Sequence, residues 1–452
     1  MLKYRIVSLL LVLMLMLSVL PAGFAETESG TGSDAEIREI TVTFLGAGMG
    51  KNLTWDFPYS DAWFREDASV YNHKLAQSSL GLELASFRDT KLSLEEQSQN
   101  LRDFYESAGF TNAVCYGYDQ NSGDYTVSNG VAMKEFGDFT LLAVAVCGQG
   151  YGDEWISNFT VGNEERHLGF NSAAQTVEGR IYQYISRHKI TGNIKVWITG
   201  FSRGSAVANI TAADLVDSGR FEAVFAYTFA TPRTTTDKGD YSTIFNIVGK
   251  FDPVTAIPLG NWGYERYGTD LYTPAMETDS DYVERKERAD AVMMKLTGQH
   301  FYNNPTMNNY LRTIFEYLGS IMPTAADFCE DMQDSIITLW RKKGDTSKML
   351  SILLETVQKM KKAGGDKEEE LEGLEDYLLN ILAVFTTGST NDVFQGDWEE
   401  GGDMLSNMAR EHLPRTYLAW LFSSDDPAEV FTEDREYLRI TIIGDVDVDV
   451  AN

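Results

Sequence analysis

A mostly parallel, doubly wound α/β sheet with a large all-helical insertion is the fold class that this 452-residue sequence predicts. Three observations carry it. Between residues 40 and 250, strand-like apolar runs alternate with stretches of helical period, the spacing of strand–crossover–strand units. One run, 139–146, is apolar almost throughout, as strands covered on both faces are. After Tyr272 the apolar residues step by three and four, the period of successive amphipathic helices.

Taken in order, residues 40–45 alternate as a strand, and 69–87 carry Leu75, Leu80, Leu82 and Leu84 at helical spacing. Residues 112–116 and 139–146 are predicted strands, 173–188 a helix, 194–199 a strand and 205–217 a helix. Residues 223–230 and 242–248 complete the strands. Four helical stripes follow: Leu311 to Ile321, Phe328 to Leu339, Met349 to Met360 and Leu371 to Ile381. The run Gly364 to Glu370 is a solvated turn between the last two. Residues 440–450 alternate again like strands, as the beginning of a β-module or as an edge hairpin. The expected organisation is a signal peptide at 1–25, a disordered leader at 26–36, an α/β core at 37–270, a helical cap at 271–404 and the rest of the core at 405–452.

The leader follows from residue chemistry. Lys3 and Arg5 precede an apolar run at 6–20, then Pro21 and the small-residue stretch ending at Ala25, the layout of a secretory signal peptide cleaved after Ala25. The run is shorter than the ~20 residues that span a bilayer, so no stable transmembrane anchor is expected. Beyond residue 25 the chain carries 36 basic against 67 acidic residues, a net charge of −31. Such a charge repels polyanions, which argues against nucleic acid and anionic lipid surfaces as general partners. Cys115, Cys147 and Cys329 are too few and too far apart for a disulfide framework or a structural zinc site.

One turn carries the chemistry. Gly200-Phe201-Ser202-Arg203-Gly204 lies between a predicted strand and a predicted helix whose start is small-residued: Ser205, Ala206, Ala208. A sharp G-x-S-x-G turn lifts a serine hydroxyl above the sheet edge at a helix N-terminus, where the dipole and the Arg203 N–H favour a developing oxyanion. Asp252 follows a strand and therefore falls at the same carboxyl edge, where an acid can orient a histidine.

From about Ser69 to Gly268 the chain resembles the class 3 lipases, secreted α/β-hydrolases that cleave acylglycerols. Four separated motifs support this: Val146-Cys147-Gly148-Gln149 with Trp155 beyond, His167-Leu168-Gly169-Phe170, the serine turn, and Thr228-Phe229-Ala230-Thr231-Pro232-Arg233 followed by Asn246 and Phe251-Asp252-Pro253-Val254. The resemblance implies an α/β-hydrolase-like fold, an ester or lipid substrate, no metal or organic cofactor, and oxyanion donors at Gln149 and Arg203. It also marks departures: Phe201 and Arg203 stand where the family usually has His and Leu, and Gln149 replaces a hydroxyl residue.

The family's histidine often follows the acid closely, but Gly263 to Gly268 contains none. The order Ser, acid, His along the chain removes His73, His167 and His188 as base, and His167 is read as structural within its motif. Of the remaining two, His412, in a loop before Pro414, is the expected base, with His300 as the alternative. The helical insertion is expected to roof the site. Competing readings are a non-lipid esterase, thioesterase or peptidase on the same triad, and a non-catalytic surface-binding protein.

Overall fold

A computed structural model of the chain describes residues 37–301, 324–329 and 411–432, apart from short loop stretches within the first span. The stretches expected to be a signal peptide and a leader, nearly all of the four helical stripes and the 440–450 segment lie outside the described residues.

An antiparallel hairpin comes first: β1 (Arg38–Gly46) pairs with β2 (Lys51–Tyr59), with Arg38 opposite Tyr59. Helices α1 (His73–Ser86) and α2 (Gln99–Ser107) follow. Asn72 caps α1 by accepting the Leu75 N–H at 3.0 Å. Next come β3 (Thr111–Tyr116), β4 (Asn129–Glu135) and β5 (Thr140–Val146), then α3 (Leu168–His188), β6 (Ile194–Phe201) and α4 (Arg203–Asp217). Strands β7 (Ala223–Phe229), β8 (Ile244–Val248) and β9 (Thr269–Tyr272) finish the sheet. The last two long helices of the described residues are α5 (Tyr282–Thr297) and α6 (Pro414–Leu421).

The main sheet has seven strands among the described residues, in the order β3-β4-β5-β6-β7-β8-β9. Strands β3 to β5 pair antiparallel and β5 to β9 parallel, so the fold is α/β-hydrolase-like. β5 shows why both faces must be covered. All its residues are buried: Leu141, Ala143 and Ala145 face the layer holding α1, α2 and the hairpin, whereas Leu142, Val144 and Val146 face α3 and α4. The second layer therefore comes from N-terminal elements, not from a reversal of strand order.

The structure differs from expectation in two respects. β9 takes Leu271 and Tyr272 into the sheet, pairing Leu271 with Ile247 and Tyr272 with Val248, so the core runs two residues past the predicted limit at 270. β2, β4 and α2 add elements to stretches that the sequence pattern leaves unassigned. Within the predicted insertion, α5 packs against α6 and β2, with Tyr282 and Phe301 on Trp420 at 6.3 and 5.7 Å. No helix of the described residues is long and apolar enough to cross a membrane.

Candidate active site

Parallel strands deliver their carboxyl ends to one edge, and β6 and β8 place the first two groups there. Ser202 follows Phe201 directly, with φ 54° and ψ −128°, a region that costs a non-glycine residue about 1–3 kcal/mol. Hydrogen bonds hold it there: its N–H donates to Phe229 O at 3.0 Å, and its carbonyl accepts the N–H groups of Ser205 and Ala206 at 3.0 and 3.2 Å. The flanking glycines are steric necessities. A Cβ on Gly200 would come 2.4 Å from Gly204 O, and one on Gly204 2.2 Å from Val146 O.

Asp252 lies in the loop leaving β8 and is 2% exposed. Its Oδ1 accepts the Val254 N–H at 2.9 Å, and its Oδ2 accepts the Tyr417 hydroxyl at 2.6 Å. Tyr417 in turn accepts the Gly249 N–H at 3.0 Å. Burial, then the Asp252 charge, hold the Tyr417 phenol well above its ordinary pKa, which keeps it a donor.

His412 joins the two. Its Nε2 is 2.8 Å from Ser202 Oγ and its Nδ1 2.8 Å from Asp252 Oδ2. Pro414 at the first turn of α6 ends the loop that carries it. The Phe201 ring lies 5.4 Å from the His412 ring and 5.5 Å from that of Tyr417, packed against both. Ser202 and His412 are 9% and 8% exposed, so the serine–histidine–aspartate chain sits in a largely dry setting. Such an arrangement can pass a proton from a hydroxyl to an imidazole while a carboxylate holds the ring.

A family model described as Lipase (class 3) matches residues 149–262, a span that contains both Ser202 and Asp252. Its core is class 3 lipase-like. Solved structures similar to it include a fungal lipase–inhibitor complex (18% identity, 37% of this chain and 67% of that one, TM-score 0.29). A mutant form of MDLA from Penicillium cyclopium gives 20% identity over 46% and 82%, TM-score 0.31. A Rhizomucor miehei lipase propeptide complex, in a deletion mutant, gives 14% over 46% and 69%, TM-score 0.31. No curated protein matches. The family match supports a lipase-type hydrolase.

The other histidines of this lipase-like core are placed elsewhere. His300 is exposed, with Nδ1 2.6 Å from Asp290 Oδ2. His167 is fully buried, accepts the Phe170 N–H at Nδ1, stacks on the Phe170 ring at 3.9 Å, and is pushed down to about 3 by burial. Its neutral ring works as a helix cap for α3. Of the two expected oxyanion donors, Arg203 opens α4, where the first N–H groups have no intrahelical partner, and its guanidinium donates to Ser157 Oγ at 2.8 Å. Gln149 lies outside the described residues.

Two supports in the lipase-like core are absent from the sequence reading. Tyr417 is one. Arg266 is the other, in the segment where the family histidine is missing: it donates from Nε to Thr231 O at 2.6 Å, from Nη1 to Asp270 Oδ2 at 2.7 Å, and from Nη2 to Thr255 O. Thr255 Oγ1 donates to Gly249 O and Asp252 O at 3.0 and 2.9 Å, so Arg266 clamps the loop that presents the acid. Among the described residues no group of three or more His, Cys, Asp or Glu could hold a metal ion.

Proposed function

We propose that this chain is a secreted serine hydrolase of carboxylic esters, with acylglycerol lipids as its substrate class. Ser202 is the nucleophile, His412 the general base and then acid, and Asp252 the group that orients the imidazole. Ser202 Oγ attacks the ester carbonyl while its proton passes to His412 Nε2. The tetrahedral oxyanion is held by N–H groups at the start of α4, that of Arg203 first, and by the Gln149 N–H. His412 then protonates the departing alcohol, leaving an acyl-enzyme. Water, deprotonated by His412, attacks the acyl carbon and frees the acid and Ser202.

The observation that carries this reading is the pair of 2.8 Å contacts joining Ser202 Oγ, His412 and Asp252 across 210 and 160 residues of sequence. The class 3 lipase match favours esters over amides as substrates. Secretion rests on the charge and apolar layout of residues 1–25, and the exported chain should begin at Glu26. A fluorophosphonate probe tests the core of the proposal. It should label the wild-type protein at Ser202 and leave Ser202→Ala unlabelled; an unlabelled wild type, inactive on p-nitrophenyl esters, overturns it. A rate on emulsified triacylglycerol exceeding that on dissolved short-chain ester supports the lipid assignment, and the reverse assigns a non-lipid esterase.

A further inference from the structure

Glu83 is an acid with no role in the chemistry so far. It sits in the last turn of α1, fully buried, and neither carboxyl oxygen has a hydrogen-bond partner of good geometry. An unpartnered carboxyl in a core is costly when ionised, so its presence there calls for a reason. Its position supplies one. The parallel ladder between β5 and β6 ends at Val146 opposite Gly200, and the next residues, Cys147-Gly148 and Phe201, have no further strand pairing with each other. Glu83 fills that gap. A Cβ on Gly148 would meet Glu83 Oε1 at 2.9 Å and Phe201 O at 2.5 Å, so the carboxyl, the end of β5 and the backbone just before Ser202 converge on one point.

The surroundings agree. Burial pushes the carboxyl well above the usual acid range, with smaller opposing pulls from the Ser86 hydroxyl and from the Gly148 and Phe201 N–H groups. A neutral carboxyl has both a donor and acceptors and can meet polar backbone at such a junction, which an apolar side chain cannot do. Phe201 is also the residue whose ring packs on His412 and Tyr417. Any shift of its backbone therefore moves Ser202 Oγ relative to the imidazole.

We infer that Glu83 is a positioning residue for ester hydrolysis, its carboxyl joining the ends of β5 and β6 so that Ser202 is held in line with His412. The inference rests on the reading of Ser202 as nucleophile. Glu83 touches neither substrate nor the reacting atoms. Its loss acts on kcat, since small misplacements of reacting groups cost up to about a hundredfold in rate.

The test compares Glu83→Leu and Glu83→Gln with wild type in the full chain, with active sites counted by fluorophosphonate titration. Glu83→Leu should lower kcat on a p-nitrophenyl ester by about 10- to 100-fold with KM within about twofold. Glu83→Gln, which keeps a neutral donor and acceptor, should restore most of that rate. A Glu83→Leu protein that is less stable but has wild-type kcat per titrated site overturns the inference and leaves a structural role. If Glu83→Leu does not fold, Glu83→Asp takes its place: shortening the side chain by one methylene should lower kcat, and an unchanged kcat overturns the inference. A wild type that neither titrates nor hydrolyses esters overturns the parent reading instead.

Discussion

The serine and the histidine reach the same point by opposite means. Ser202 is held by contiguous sequence: a buried strand, two glycines that admit no side chain, and a helix whose first turn bonds back to its carbonyl. His412 is held by distant chain. Its loop is fixed by α6, whose Tyr417 reaches Asp252, whose Leu421 carbonyl accepts from Gln77 Nε2 at 3.0 Å, and whose Trp420 packs on α5. A locally built group tolerates loss of long-range packing, whereas a docked group is only as well placed as its dock.

Substitutions at the two groups probe this difference, starting with the largest effect. Ser202→Ala should reduce ester hydrolysis by on the order of 10⁴-fold or more while leaving the circular dichroism spectrum unchanged. Activity within tenfold of wild type would remove the serine from the mechanism. His412→Ala should match it, and the double variant should lose little beyond either single change, because triad members act as a unit. His300→Ala should stay near wild type, since that ring is exposed on Asp290; an inactive His300→Ala would move the base into the insertion.

Tyr417→Phe tests the dock itself. It deletes one of the donors to Asp252 and leaves the Gly249 N–H without its acceptor. A hydrogen bond to a charged group contributes about 1.5–3 kcal/mol, so kcat should fall roughly 10-fold to 100-fold and thermal stability should drop with it. Wild-type kinetics would mean that the helix places His412 without this bond.

The smallest effect concerns Glu411, whose carboxyl burial and Asp252 push up to about 7, against the pull of Lys286. A folded-state value above the unfolded one means that the folded chain holds the proton more tightly. The associated stability is present below pH ~4.5 and is lost as pH rises through about 7. Unfolding free energy measured by urea titration should therefore decline over that window in wild type. In Glu411→Gln the decline should be shallower, and identical slopes would place the carboxyl in water.

Legibility in the sequence followed the same division. Strands β5 to β8, with α1, α3 and α4, were readable because burial on fixed faces leaves a periodic record. The elbow was readable because its steric demands fall within five residues. β2 was not: Asn52, Asp56 and Pro58 break its alternation, although Leu53, Phe57 and Tyr59 are buried. β4 opens with Asn129-Gly130, which looks like a turn, whereas the glycine is needed because Leu101 and Tyr105 occupy the space of its Cβ, at 2.5 and 2.9 Å. His412 was reached by chain order and elimination. Tyr417, Arg266 and Glu83 left no signal, since a string does not distinguish an aromatic or charged residue that clamps a distant loop from one that fills a core.

The long separation between nucleophile and base also sets an order of events. The described strands, the serine turn and Asp252 all lie before residue 273, and the strands pair largely with near neighbours. The imidazole arrives only by closing spans of 160 and 210 residues, closures that are entropically slow compared with local pairing. The described sheet can thus form while Ser202 still lacks its His412 partner. On the proposed reading, that delay works as a safety catch: the newly made chain carries Ser202 without its proton acceptor until the segment bearing His412 has docked.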